Sequence, residues 1–191
     1  AGIGGNSAAT REGAESSKIY MVGNILMDTL RFNHQRFERP AVMDELGLAE
    51  KKYIVFTLNR KAIIGNDNEL RALLVSMMSH TGDVPVVAPL RKLAADAVKR
   101  IVNENPLLFE KLHIVAPLDY LHFGYLTANA LGIVTDSGNV AEEATFNTVP
   151  CITLNSYTEH IETVKVGSNV LVGEDPVQLG EEMARMVDGE W

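Results

Sequence analysis

From residue 19 onward the chain alternates short apolar runs, rich in β-branched residues, with longer amphipathic stretches. The runs 19–22, 53–57, 85–89, 112–115, 131–135, 151–154 and 169–172 predict strands, because each is too short for an isolated helix and is bounded by turn residues. The stretches 25–39, 66–80, 92–103, 120–129, 140–147, 159–166 and 176–187 predict helices. Asp175-Pro176 marks the start of the last one, with a capping carboxylate followed by a proline whose fixed φ suits the first helical position. This alternation predicts an α/β fold, a Rossmann-like mostly parallel sheet with helices on both faces. Residues 1–18, rich in Gly, Ala and Ser and without an apolar period, predict a flexible leader or linker, leaving 19–191 as one folded domain.

In such sheets ligands bind beyond the carboxyl ends of the strands, near the point where strand order reverses. The residues to watch are therefore Asn24, Asn59-Arg60, Leu90-Arg91, Pro117, Asp136-Ser137-Gly138 and the segment from Asn155 to Glu159. Thr135-Asp136-Ser137-Gly138-Asn139-Val140-Ala141-Glu142-Glu143 is the most informative of these. A strand that ends in Ser-Gly and opens a helix presents backbone N–H groups without intrahelical acceptors, which is a seat for phosphate. A carboxylate one turn further in can reach a sugar hydroxyl beside that phosphate. The pattern points to a nucleotide or a sugar nucleotide.

Composition narrows the classes. The 191 residues are 46% hydrophobic and 22% charged, enough apolar material for one buried core. The net charge of −8 argues against nucleic acid or an anionic membrane as the main partner. Cys151 is the sole cysteine and lies in an apolar run, so a buried small side chain is expected rather than a disulfide, a metal thiolate or a nucleophile. His34, His80, His113 and His122 have no metal-ligand spacing, and neither a metal site nor a cofactor is expected. No apolar run approaches the ~18 residues of a membrane span, and no secretory signal is evident, so the expected location is the cytoplasm.

The order Val22-Gly23-Asn24, Phe56-Thr57-Leu58-Asn59-Arg60, Pro117-Leu118-Asp119-Tyr120-Leu121, Thr135-Asp136-Ser137-Gly138, Glu142-Glu143-Ala144, Val149-Pro150, Thr158-Glu159 with Glu162-Thr163, and Val170-Leu171-Val172-Gly173 resembles the non-hydrolysing UDP-N-acetylglucosamine 2-epimerases. The resemblance covers nearly everything from Ile19 onward. It corresponds to the carboxy-terminal, UDP-binding half of a two-domain GT-B-like fold. It implies that Ser137 and Gly138 hold a diphosphate, with Asn139 standing where the family has a second glycine. Glu143 would bind the ribose hydroxyls, Phe123 would pack on uracil, and Arg60 would face the nucleotide. Stacking on an aromatic face is worth roughly 1–3 kcal/mol per base.

Each of these residues also has a plainer reading. Glu142 and Glu143 suit a first helical turn by its dipole, Phe123 suits helix-on-sheet packing, and Arg60 suits a surface ion pair. Asn59 replaces the family's histidine in Thr-x-His-Arg, and His160 replaces an arginine in Thr-Glu-Arg-Pro-Glu. Asparagine carries no proton at neutral pH, and His160 exchanges a fixed charge for a titratable one. Arg91-Lys92 stand where the family has His-Pro; Arg91 either restores charge near the phosphates or is a solvated helix start.

In the family, anti elimination of UDP and its re-addition invert C2, with the acid and base carboxylates coming from the amino-terminal domain. The resemblance therefore implies a UDP-sugar-binding half whose partner is an amino-terminal half domain or a second copy of the chain. A diverged nucleotide-sugar-binding or regulatory module without epimerase activity is the alternative reading, and a GT-B glycosyltransferase half is a third.

Overall fold

The computed structural model describes residues 36–154, 164–166, 169–173 and 175–191. Its elements in chain order are α1 (Ala41–Glu45), β1 (Ile54–Phe56), α2 (Lys61–Ile64), α3 (Asp67–Ser79), β2 (Val86–Pro89), α4 (Lys92–Val102), β3 (Leu112–Val115), α5 (Tyr120–Ala128), β4 (Gly132–Thr135), α6 (Gly138–Phe146), β5 (Cys151–Thr153), β6 (Val164–Val166), β7 (Asn169–Leu171) and α7 (Pro176–Val187).

The run around β1 illustrates how the sequence builds the sheet. Successive side chains of an extended strand point to opposite faces. Ile54 and Phe56 accordingly enter one apolar cluster, and Tyr53 and Val55 enter the other. The same split separates Val86 and Ala88 from Val87, Val134 from Ile133, and Ile152 from Cys151. Strands buried on both faces are apolar throughout, which is why these runs show no polar alternation. Residues of α2, α3, α4 and α7 fill the first cluster, and those of α1, α5 and α6 fill the second. Cys151 lies fully buried in the second, where burial pushes its thiol up to about 12.

Strand order is β3-β2-β1-β4-β5-β7-β6, parallel throughout except for the antiparallel β6–β7 pair. The chain works outward from β1 to β3 on one side and from β4 to β5 on the other, then goes to the edge strand β6 and returns to β7 between β5 and β6. The reversal falls between β1 and β4, whose register pairs Ile54 with Gly132 and Phe56 with Val134. Asp175 caps α7 by accepting from Val177 N–H at 2.9 Å, with Pro176 in the first turn, as the Asp-Pro pair predicts.

Three expectations change. Val164–Val166, expected to end a helix spanning 159–166, form β6 and pair with β7. Val164 and Val166 are β-branched, and Gly167-Ser168 separates them in sequence from the next apolar run, so the segment has hairpin chemistry; residues 159–163 lie outside the described residues. The helix expected over 25–39 is absent from its described end, 36–39, where Pro40 disfavours helical backbone at Arg39. The short helices α1 and α2 carry no periodic signal; they form because Val42, Met43, Ile63 and Ile64 are buried by the rest of the fold. The leader 1–18 and the strand 19–22 lie outside the described residues.

Candidate functional site

The carboxyl ends of β1 and β4 meet at the topological reversal. The hydroxyls of Thr57 and Thr135, both buried, share a hydrogen bond of 2.7 Å. Thr57 N–H donates to Val134 O at 2.9 Å, and Ser137 N–H donates to Thr135 Oγ1 at 3.0 Å. Threonine suits these positions because its branched carbon fits extended backbone, while the hydroxyl of Thr135 ties down the second residue beyond β4.

Asp136 then joins the two loops. Its carboxylate accepts Asn59 N–H at 2.9 Å and Arg60 N–H at 2.7 Å. Arg60 is the N-cap of α2, so Asp136 satisfies donors at the start of that helix. Asp136→Ala leaves those amides to water, and because Asn59 is exposed the expected loss is about 1–2 kcal/mol, with Asp136→Asn intermediate. Urea denaturation measures this loss, and amide exchange checks its location: Asn59 and Arg60 N–H exchange faster while β1 stays protected.

Ser137 is the N-cap of α6, its Oγ accepting from Val140 N–H at 3.4 Å. The helix therefore starts at Gly138, ahead of the expected Val140. Gly138 and Asn139 are exposed in its first turn, where N–H groups have no intrahelical acceptors. A β-carbon at Gly138 would meet nothing within 4 Å, and its φ is not left-handed. The fold itself thus makes no demand for glycine here; its effect is to leave the backbone N–H groups open to an incoming group.

Glu143 lies one turn beyond Asn139 on the same face of α6, about 6 Å along the axis. The side chain is half-buried. Burial pushes its carboxyl up to about 7; Tyr120 of α5 opposes that rise and the charge of Glu142 adds to it. Tyr120 is raised as well, by its own burial and by the negative charge of Glu143. Phe123 sits one turn after Tyr120 on α5, partly buried against the second apolar cluster. The described candidates Asn59, Arg60, Ser137, Gly138, Asn139, Glu143 and Phe123 thus belong to α5, α6 and the two loops joined by Asp136. His160 and Asn24 lie outside the described residues. Arg91 is the exposed N-cap of α4, after β2 and one strand removed from the reversal.

Two of the described histidines, His122 and His80, hold neighbouring groups. His122 Nδ1 lies 2.7 Å from Asp119 Oδ1, and His122 Nε2 lies 3.3 Å from Glu38 Oε1. His80 Nδ1 lies 2.7 Å from Ser76 O. Among the described residues no group of His, Cys, Asp or Glu could hold a metal ion, and no helix is long and apolar enough to cross a membrane. Tyr120 and the tie made by Asp136 escaped the sequence reading. The available signals were a threonine ending each of two neighbouring strands and a tyrosine directly after the capping Asp119.

Residues 6–190 match the sequence model of the family described as UDP-N-acetylglucosamine 2-epimerase. A UDP-N-acetylglucosamine 2-epimerase of Methanocaldococcus jannaschii is 34% identical over 178 residues, covering 88% of this chain and 48% of that protein. A UDP-N-acetylglucosamine 2-epimerase homolog of Methanococcus maripaludis is 32% identical over 174 residues, covering 89% of this chain and 48% of the homolog. The crystal structure of the M. jannaschii UDP-GlcNAc 2-epimerase in complex with UDP-GlcNAc and UDP is similar with a TM-score of 0.66 at 28% identity, over 88% of this chain and 46% of that one. The chain spans about half the length of the curated relatives it matches. On the extent of the family match and the identity to these relatives, the chain belongs to the UDP-N-acetylglucosamine 2-epimerase family.

Proposed function

We propose that this chain is the carboxy-terminal, UDP-sugar-binding half of an epimerase with a GT-B-like fold. The observation that carries the reading is the face of α6: an open first turn at Gly138 and Asn139, with the half-buried carboxylate of Glu143 one turn further in. A diphosphate seated on the first turn gains from its N–H donors and from the helix dipole. The ribose of the same nucleotide then lies near Glu143, which accepts from its hydroxyls. Phe123, beside Tyr120 on α5, offers a ring for uracil. Arg60 supplies positive charge from the loop that Asp136 holds.

The reaction of the complete protein is inversion at C2 of a UDP-N-acetylglucosamine-like sugar. Elimination breaks the bond from C1 to UDP and removes the C2 proton; re-addition restores both with the proton on the other face. The acid and base are assigned to the amino-terminal half, so this chain binds and orients UDP while its partner half moves protons. Asn59 favours a second reading, a nucleotide-sugar-binding module without turnover, because it cannot carry the proton that the family's histidine can.

Calorimetric titration of the chain with UDP and with uridine tests the proposal. Saturable UDP binding, with uridine much weaker, is the expected result because the diphosphate is the group that meets α6. Absence of UDP binding, or equal binding of uridine, overturns it.

A further inference from the structure

We infer that Asp136 is a positioning residue for the diphosphate, its carboxylate fixing the backbone from which Arg60 acts against the first turn of α6. The inference rests on the UDP-binding reading above and deepens it, because one side chain then sets how the two loops of the site stand to each other. An arginine side chain has many rotamers, and a mobile backbone beneath it adds to what must be ordered when a ligand binds. Fixing that backbone in advance removes part of the cost.

The tie is closed at both ends. Asn59 N–H reaches both carboxylate oxygens, Oδ1 at 3.1 Å and Oδ2 at 2.9 Å, and Arg60 N–H donates to Oδ2 at 2.7 Å. Arg60 O accepts from Ile63 N–H at 3.2 Å and from Ile64 N–H at 3.0 Å, and both isoleucines are buried in the first apolar cluster. The backbone of Arg60 is therefore held by Asp136 on one side and by α2 on the other. At its other end Asp136 stands between Thr135, hydrogen-bonded to Thr57 at 2.7 Å, and Ser137, the N-cap of α6. Only one short side chain separates the backbone at residues 59 and 60 from the start of α6. The sign of the charge points to position rather than to field. A carboxylate directly before the residue that opens a diphosphate seat repels the ligand, so its value there is geometric. Asparagine has one acceptor oxygen and an amide that would face N–H donors, so it cannot take both amides in the same way.

The test is a double-mutant cycle of Asp136→Asn and Arg60→Met, titrated with UDP and with uridine by calorimetry, each protein well below its own Tm. Arg60→Met alone is expected to weaken UDP by about 10-fold, the value of one hydrogen bond between charged groups. Asp136→Asn is expected to weaken UDP by about 3- to 10-fold when Arg60 is present, with uridine changed by less than about 2-fold. In the Arg60→Met background the same change is expected to leave UDP affinity within about 2-fold or to raise it. A residue acting through its charge alone would tighten UDP in both backgrounds when neutralised. One that only keeps α6 in place would weaken UDP equally in both, and a general loosening of the domain would weaken uridine as much as UDP. Any of these results, or an Arg60→Met that binds UDP like wild type, overturns the inference while the UDP-binding reading stands. Wild type that does not bind UDP overturns both.

Discussion

Gly132→Val is expected to destabilise the fold by about 3 kcal/mol, lowering Tm by roughly 6–12 °C. Valine is among the best strand formers and Gly132 lies inside β4, so local preference alone predicts a gain. Packing reverses the sign. A β-carbon built at Gly132 lies 2.5 Å from Met186 Cε and closer still to its Sδ. Met186 is the end of a flexible side chain, but it is 1% exposed and has nowhere to go. Glycine is thus what lets α7 pack close against the middle of the sheet. The cause is separable from a general strand defect by Met186→Ala, which removes about as many heavy atoms as valine adds. Alone, that change opens a cavity and costs about 2–5 kcal/mol. Combined with Gly132→Val it is expected to cost less than the sum of the singles by about 1–3 kcal/mol, measured by denaturant unfolding of all four proteins. Simple additivity would remove Met186 as the explanation.

Gly132 also marks where sequence reading stops. Strand β4 is legible because Ile133, Val134 and Thr135 are β-branched and Asp136-Ser137-Gly138 follows; nothing in the residues around Gly132 announces a methionine more than fifty positions away (residue 186). The described parallel strands and the long helices were legible for a related reason: strands buried on both faces and helices buried on one leave periodic patterns. Helices α1 and α2 leave none, since only two buried side chains hold each. Strand β6 was hidden in an apparent helix because three residues are too few to show a period, and its pairing with β7 decides its state.

The site divides along the same line. Ser137, Gly138 and Glu143 are legible because capping and helical spacing are local. The carboxylate of Asp136 on the amides of Asn59 and Arg60 spans more than seventy residues of sequence. It is a product of strand order, which brings the end of β4 beside the end of β1.

Glu143→Gln is expected to make the protein more stable above neutral pH and worse at binding UDP. The native carboxyl titrates near 7 while the unfolded chain titrates at the ordinary value of 4.5, so the native state holds this proton more tightly. Stability from this group is therefore present at low pH and is lost as pH rises from about 4.5 through about 7. Glutamine reproduces the neutral acid at every pH. The variant should match wild type in Tm near pH 4.5 and exceed it at about pH 8, where wild type carries a charge that burial and Glu142 disfavour. A Tm difference that is flat with pH, or largest at the acid end, would show that Glu143 is not held uphill of its usual ionisation. Binding should move the other way. Ribose hydroxyls are donors, and a carboxylate accepts from them more strongly than an amide oxygen does, so UDP affinity at about pH 8 falls by about 10- to 100-fold in the variant. The ratio of wild-type to variant affinity should rise with pH through about 7, a comparison in which the phosphate's own titration cancels. A residue placed only to complement the dipole of α6 would give the variant no gain in stability at high pH. One substitution that stabilises the empty protein and weakens the liganded one indicates a carboxylate kept for its ligand at a cost to the fold.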